Sequence, residues 1–117
     1  MKLAVIGNKE FTDRQFFYEI LTKIKNITKI ISGGAPGTDT LAKQYSEANN
    51  IEFIEFSPNY DLHGIEAKQV RDKKIVENCD SILAFWDGIC EGTGYTIEYA
   101  RKLHKPVKII RVQLSGN

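Results

Sequence analysis

The chain has 117 residues, of which 42% are apolar and 26% are charged, a composition typical of one globular domain and not of a disordered or fibrous segment. Its formal charge of +1 argues against the broad basic surface of a duplex-binding protein. Cys79 and Cys90, like His63 and His104, lack the spacing of a metal site. No apolar run has the length of a signal peptide or of a membrane span of ~20 residues. We therefore expect one cytoplasmic domain over residues 1–117, with reduced thiols, no metal and no membrane partner.

Five short runs, each ended by glycine, proline or polar residues, predict β-strands. The first run is continuously apolar and suits a strand that is buried on both faces of a parallel sheet. The third run alternates polar and apolar residues, which indicates an edge strand. The five predicted strands are residues 3–6, 29–32, 52–56, 81–85 and 107–110.

Segments with apolar residues at helical spacing lie between these strands. The first begins after Asp13, a plausible cap, and the others are 38–49, 64–78 and 93–104, with Ile65 among the apolar positions of the third. Strict alternation with short connections predicts an α/β fold in which a five-stranded parallel sheet has helices on both faces. In such a sheet, ligands bind at the carboxyl ends of the strands, near the point where the strand order reverses.

The loop at residues 32–39 joins the second strand to the second helix and contains three glycines. Backbone N–H groups in such a loop can turn toward an anion. Each hydrogen bond to a charged oxygen contributes ~1.5–3 kcal/mol, against ~0.3–1 kcal/mol from the helix dipole at an exposed site, so several N–H groups must converge. The loop lacks the Lys-Ser/Thr of a P-loop and the glycine spacing of a dinucleotide fold. A tight turn followed by a helix cap is an equally good interpretation of this loop alone.

A second glycine-rich segment, residues 86–94, also runs from a strand into a helix start. Thr93 can cap that helix or donate its hydroxyl group to a phosphate. Trp86 is either a packing residue at the end of the sheet or a stacking surface for a base. Because both glycine-rich segments follow strands, they open on one edge of the sheet, and together they suggest a shared ligand.

The loop after the first strand is expected to form a third wall of this site. Lys9 in that loop either reaches a phosphate or is solvated. Arg71, on the helix before the fourth strand, offers a planar fork for phosphate or carboxylate, or else forms a solvated helix face with Asp72. The predicted ligand-binding residues are Gly7, Asn8, Gly33, Gly34, Gly37, Thr38, Asp39, Arg71, Trp86, Gly92 and Thr93.

Taken as a set, these motifs resemble the SLOG superfamily of Rossmann-like nucleotide-binding domains, and most closely its YspA-like branch of small bacterial and phage proteins. The resemblance spans nearly the whole chain. It implies a Rossmann-like three-layer sandwich, a nucleotide or nucleotide-derived signal as the ligand, no cofactor, and a possible homodimer or higher homo-oligomer formed through helices beside the site. It rests on Gly7 with Phe11-Thr12-Asp13, on residues 32–39, on Gly64 with Arg71, on residues 84–88, and on Gly92-Thr93 with Thr96-Ile97.

The Lonely Guy members of this superfamily hydrolyse nucleoside 5′-monophosphates to a free base and ribose 5-phosphate. Such a reaction passes through an oxocarbenium-like state and needs a carboxylate near the ribose. The enzymes' motif places a glutamate three residues after the threonine, where this chain has Thr96. Glu98 lies two residues further, turned by about 200° around the helix. Glu91 or Asp39 could substitute, although nothing in the sequence indicates that either does.

The arginine helix departs from the family pattern as well, because relatives tend to have Ala-Gly before the arginine and asparagine after it. This chain has Ala67-Lys68 before Arg71 and Asp72 after it. The favoured hypothesis is a binding module that senses or sequesters a nucleotide-derived ligand, since this role needs no catalytic carboxylate. The alternative is an N-glycosidase of nucleoside 5′-monophosphates. A scaffold for single-stranded nucleic acid is disfavoured by the near-neutral charge.

Overall fold

The computed structural model describes residues 1–114, so the last three residues of the predicted domain lie outside the described part of the chain. Strands and helices alternate in the predicted order. The elements are β1 (Lys2–Gly7), α1 (Arg14–Thr22), β2 (Lys29–Ser32), α2 (Thr38–Ala48), β3 (Glu52–Glu55), α3 (Tyr60–His63), a 3₁₀ turn (Gly64–Glu66), α4 (Ala67–Glu77), β4 (Ser81–Trp86), α5 (Glu91–Lys102) and β5 (Val107–Arg111).

The five strands form one parallel sheet in the order β3-β2-β1-β4-β5, which confirms the predicted sheet and the edge position of β3. The chain moves outward from β1 to β3 and then returns to place β4 on the other side of β1. Gly7 at the end of β1 is the register partner of Phe85 in β4. The strand order therefore reverses between β1 and β4, and their carboxyl ends mark the place where a ligand is expected.

Two hydrophobic layers cover the sheet because successive side chains of a strand point to opposite faces. Leu3 and Val5 of β1 pack with residues of α1 and α2, while Ala4 and Ile6 pack with residues of α4 and α5. The Asp13 carboxylate accepts a hydrogen bond from the N–H group of Phe16 at 3.1 Å, so Asp13 is the predicted N-cap of α1. The Rossmann-like three-layer sandwich is thereby confirmed.

The prediction of one helix over residues 64–78 is wrong at its start. The short helix α3 ends at His63, and Gly64 adopts a left-handed φ of +57°, a conformation that favours glycine and turns the chain before α4 begins. Ile65 lies in the 3₁₀ turn and is 98% exposed, so it does not belong to the apolar stripe. Helical spacing alone does not reveal such a break.

The described residues contain free thiols but neither a membrane-spanning helix nor a metal-binding cluster. Among residues 1–114, no helix combines the length and the apolar character that crossing a membrane requires. No set of three histidine, cysteine, aspartate or glutamate side chains within that range is grouped to hold a metal ion. Cys79, which is buried in the turn after α4, and Cys90 are free thiols.

Candidate ligand-binding site

A cavity of about 740 Å³ opens at the carboxyl edge of the sheet, over the ends of β1 and the loop that follows β4. Its walls come from all four segments that the sequence analysis singled out. Seven of the eleven predicted residues line this cavity, whereas Gly34, Gly37, Thr38 and Trp86 lie outside its lining. The seven that line it are Gly7, Asn8, Gly33, Asp39, Arg71, Gly92 and Thr93.

Gly37 and Thr38 attach the start of α2 to the loop after β1. The Thr38 hydroxyl group and backbone N–H both donate to the carbonyl oxygen of Asn8, at 2.9 and 3.3 Å. Gly37 has a φ of +75°, and a Cβ atom at this position would overlap the Lys9 carbonyl group. This half of the first glycine-rich loop thus serves the packing of two loops against each other.

Asp39 occupies the other half of that loop with a negative charge of its own. Its carboxylate accepts a hydrogen bond from the Ala35 N–H group at 3.1 Å, and the side chain is largely buried. Burial raises the pKa of the Asp39 carboxyl group, although the Ala35 N–H group and the nearby Arg71 guanidinium act in the opposite direction. The anionic group of a ligand would therefore have to compete with the Asp39 carboxylate for the Ala35 N–H group.

Arg71 is neither solvated nor free to close around a ligand. Its Nε atom donates to Asp72 at 2.6 Å, and its Nη1 atom donates to the Gly33 carbonyl group at 2.5 Å. The side chains of Arg71 and Asp72 are only 11% and 15% exposed. Burial raises the pKa of the Asp72 carboxyl group, and Arg71 opposes this rise. The pair is a largely buried part of the cavity wall and not the solvated helix face that was the alternative interpretation.

Asp87 and Asn8 shape the loop between β4 and α5. The Asp87 carboxylate accepts hydrogen bonds from the N–H groups of Ile89 and Cys90, each at 2.9 Å, and these bonds lower the pKa of Asp87. The Asn8 side chain, itself buried, accepts from the Asp87 N–H group at 3.1 Å. Asn8 therefore joins the loop after β1 to the loop after β4 at the point where the strand order reverses.

The glycines Gly92 and Gly94 of the second glycine-rich segment lie in the first turn of α5 and not in the loop that precedes it. The helix begins at Glu91, two residues before the predicted start, and Gly94 donates its N–H group to the carbonyl oxygen of Cys90 at 3.1 Å. Of the two alternatives for Thr93, the structure excludes capping of the helix, because Cys90 is the N-cap and Thr93 is the third residue of the first turn. Within the described residues, the N-cap Cys90 makes no side-chain capping bond, so the first N–H groups of α5 are left to solvent or a ligand.

Trp86 packs beneath α5. Its indole N–H group donates to the carbonyl oxygen of Cys90 at 2.9 Å. A Cβ atom at Gly94 would lie 3.0 Å from the indole ring, so the absence of a side chain there permits this close packing. Of the two interpretations of Trp86, the structure favours the packing role.

Several residues of the lining are not among the eleven predicted residues, and six of them are charged. Lys68 and Asp72 flank Arg71 on α4, and Asp87 directly follows β4, a position that does indicate the ligand edge of a parallel sheet. Thr96 also lines the cavity, whereas Glu98 faces away and pairs with Arg101. Among the described residues, three cations and five carboxylates line the cavity: Lys9, Lys68 and Arg71, with Glu10, Asp39, Asp72, Asp87 and Glu91.

The raised pKa of Asp39 predicts a dependence of stability on pH. The folded protein binds a proton at Asp39 more tightly than the unfolded chain, whose carboxyl group has the ordinary pKa of 3.8. The contribution of this proton is fully present below that value and is lost as the pH rises through the folded-state pKa. We expect the free energy of unfolding to fall less steeply in this interval for Asp39→Asn, which keeps an acceptor for Ala35. Urea unfolding from about pH 3.5 to about pH 7 measures this, and equal slopes in both proteins would contradict it.

Comparisons with known proteins agree with this architecture. The fold is similar to that of a solved structure of DNA processing protein A from Helicobacter pylori, which was described for its single-stranded DNA binding mode. The two superpose with a TM-score of 0.77 at 20% sequence identity, and the match covers 98% of this chain and 67% of that chain. At this identity the similarity establishes the fold alone. A search of curated proteins finds no match to the chain. The model of the YAcAr family, described as the YspA, cpYpsA-related SLOG family, matches residues 1–63. This match covers more than half of the chain, which therefore belongs to the YspA, cpYpsA-related SLOG family, a membership that implies binding of nucleotide-related ligands in general.

Proposed function

We propose that the domain binds a nucleotide-derived ligand, and so senses or sequesters it, in the cavity at the carboxyl ends of β1 and β4. The observation that carries this proposal is the position of the cavity at the reversal of strand order, in a chain that belongs to the SLOG family. Its volume of about 740 Å³ lies within the range of ~300–1,000 Å³ that is usual for small-molecule sites.

A phosphate group of this ligand is best accommodated at the first turn of α5. The N–H groups there have no capping partner within the described residues, and both Gly92 and Thr93 line the cavity. In the first glycine-rich loop, by contrast, Asp39 and Arg71 already engage the backbone. The second glycine-rich segment therefore takes precedence over the first as the phosphate-binding element.

The charge of the lining favours a ligand with few phosphate groups. Within residues 1–114, five carboxylates and three cations line the cavity, and one of those cations, Arg71, is already paired with Asp72. Each additional phosphate would bring more negative charge toward these carboxylates. The same carboxylates are good acceptors for sugar hydroxyl groups. A nucleoside that carries one phosphate group satisfies both conditions.

Hydrolysis of an N-glycosidic bond is the second candidate function, and one observation favours it. A buried carboxyl group with a raised pKa, Asp39, lies in the wall of the same cavity. Hydrolysis through an oxocarbenium-like state can use a carboxyl group with a raised pKa as the general acid that protonates the departing base. Incubation with adenosine 5′-monophosphate separates the two functions, because release of free adenine would establish hydrolysis, and an unchanged nucleotide would leave binding alone.

Substitution of Gly92 tests the proposed phosphate position. A Cβ atom at Gly92 would have no neighbour within 4 Å among residues 1–114, so a side chain fits there without disturbing the fold. We expect Gly92→Glu to fold with unchanged or slightly raised stability, since a carboxylate suits the start of a helix. Its charge should weaken binding of nucleoside 5′-monophosphates at least ~10-fold, the equivalent of one lost hydrogen bond to a charged oxygen.

Calorimetric titration of the adenosine, guanosine, cytidine and uridine 5′-monophosphates provides the measurement. Gly92→Ala is the matched control, because it adds a methyl group without charge and should retain the affinity within about twofold. Failure of all four nucleotides to bind the unmodified protein would contradict the proposed function. Equal affinity of Gly92→Glu and the unmodified protein would instead remove the first turn of α5 from the site.

A further inference from the structure

Two exposed isoleucines lie at the mouth of the cavity. Ile65, in the 3₁₀ turn before α4, is 98% exposed, and Ile89, in the loop before α5, is 79% exposed. Both line the cavity. The other large apolar side chains that are exposed within residues 1–114 lie outside its lining: Tyr60, Leu62 and Leu103. Among the described residues, exposed aliphatic surface at the cavity is thus confined to these two positions.

The backbone at both isoleucines has the same unusual feature. Each is preceded by a glycine in the left-handed region, Gly64 with a φ of +57° and Gly88 with a φ of +86°. At Ile89 the conformation is held further, because its N–H group donates to the Asp87 carboxylate at 2.9 Å. Single exposed apolar residues are common on protein surfaces. Here, however, two exposed isoleucines lie on separate segments that border one cavity. Each follows a turn that only glycine readily adopts. This arrangement indicates that both side chains have a role in the cavity.

A nucleotide needs an apolar surface for its base as well as a polar one for its phosphate and sugar. Trp86 does not provide that surface, since its ring packs beneath α5 and its indole N–H group is bonded to Cys90. The remaining rim of the cavity is largely charged. Ile6 and Ile75 also line the cavity, but both are already buried in the core. The apolar surface still available to a ligand is therefore that of Ile65 and Ile89, together with the partly buried ring of Tyr95.

We infer that Ile65 and Ile89 form an apolar clamp over the heterocyclic base of the bound nucleotide. This inference rests on the proposed function and adds to it the part of the ligand that the rim recognises. The phosphate then lies at the first turn of α5, and the base lies toward the open side of the cavity between the two isoleucines. Binding removes both side chains from water, which supplies affinity that a ligand without a base cannot obtain.

The test compares a ligand that has a base with one that lacks it. Ile65→Ser and Ile89→Ser are titrated with ribose 5-phosphate and with the nucleoside 5′-monophosphate that binds the unmodified protein most tightly. We expect each substitution to weaken nucleotide binding about tenfold, as loss of most of the burial of one isoleucine side chain predicts. Affinity for ribose 5-phosphate should stay within about twofold. Because both side chains are exposed, the unfolding midpoints should not change.

Leu62→Ser is the matched control, since Leu62 is 72% exposed and lies outside the cavity lining. This variant should bind both ligands as the unmodified protein does. Equal losses for the two ligands, or no loss for either, would overturn the clamp while leaving the proposed function intact. A loss of nucleotide affinity in Tyr95→Ala but in neither serine variant would also overturn it, because the base would then stack on Tyr95. Absence of binding of every nucleotide to the unmodified protein would contradict the proposed function itself and the clamp with it.

Discussion

Replacing Gly37 with alanine is expected to lower the free energy of unfolding by about 2–6 kcal/mol. Gly37 has a φ of +75° and a ψ of −120°, a region that is accessible almost only to glycine and that costs other residues about 1–3 kcal/mol. The added Cβ atom would also overlap the Lys9 carbonyl group, and such overpacking against backbone costs about 1–3 kcal/mol more. Urea unfolding monitored by circular dichroism measures the difference.

Gly92→Ala provides the comparison, because a Cβ atom at Gly92 has open space around it and φ is not left-handed there. Alanine in a helix is better than glycine by about 0.5–1 kcal/mol, so this variant should be as stable as the unmodified protein or slightly more so. The two glycines belong to sequence motifs of the same appearance, yet only one of them is structurally required. An unchanged unfolding midpoint for Gly37→Ala would contradict the requirement for glycine at this position.

The fold was predictable because its signals are local and repeated. The run at residues 3–6 is apolar throughout since both faces of β1 are covered, and the run at 52–56 alternates since β3 lies at an edge of the sheet. The alternation of strands and helices then determines that the loops after β1 and β4 meet at one edge. These sequence features alone predict where the candidate ligand site lies.

The details of the site were less predictable because they depend on contacts between distant segments. Glycines at residues 33–37 indicate that backbone N–H groups are accessible. They do not indicate that Asp39 accepts a hydrogen bond from the Ala35 N–H group or that Lys9 lies against Gly37. Likewise, helical spacing placed Ile65 on an apolar stripe, although the left-handed turn at Gly64 directs it to solvent. A glycine-rich motif therefore indicates that another group packs closely against the backbone there. Which group this is depends on the tertiary structure.

Replacing Arg71 with methionine is expected to destabilise the protein by about 3 kcal/mol at neutral pH. Methionine retains the apolar stem but removes the cation from Asp72 and the donor from the Gly33 carbonyl group. Removing one partner of a buried ion pair typically costs about 3–5 kcal/mol, because it leaves an uncompensated charge behind. The slight exposure of this pair places the expected loss near the lower end of that range.

The pH dependence of this loss identifies its cause. Without Arg71, the pKa values of Asp39 and Asp72, already raised by burial, should rise further in the folded state. The difference in stability between Arg71→Met and the unmodified protein should then shrink as the pH falls toward 3.8, where the unfolded chain also becomes protonated. Arg71→Met combined with Asp72→Asn should recover part of the loss at neutral pH, because one of the two uncompensated charges is gone. If Arg71 instead served only to hold a ligand's phosphate, the single substitution would weaken nucleotide binding and leave the free energy of unfolding within about 0.5 kcal/mol of its original value at every pH.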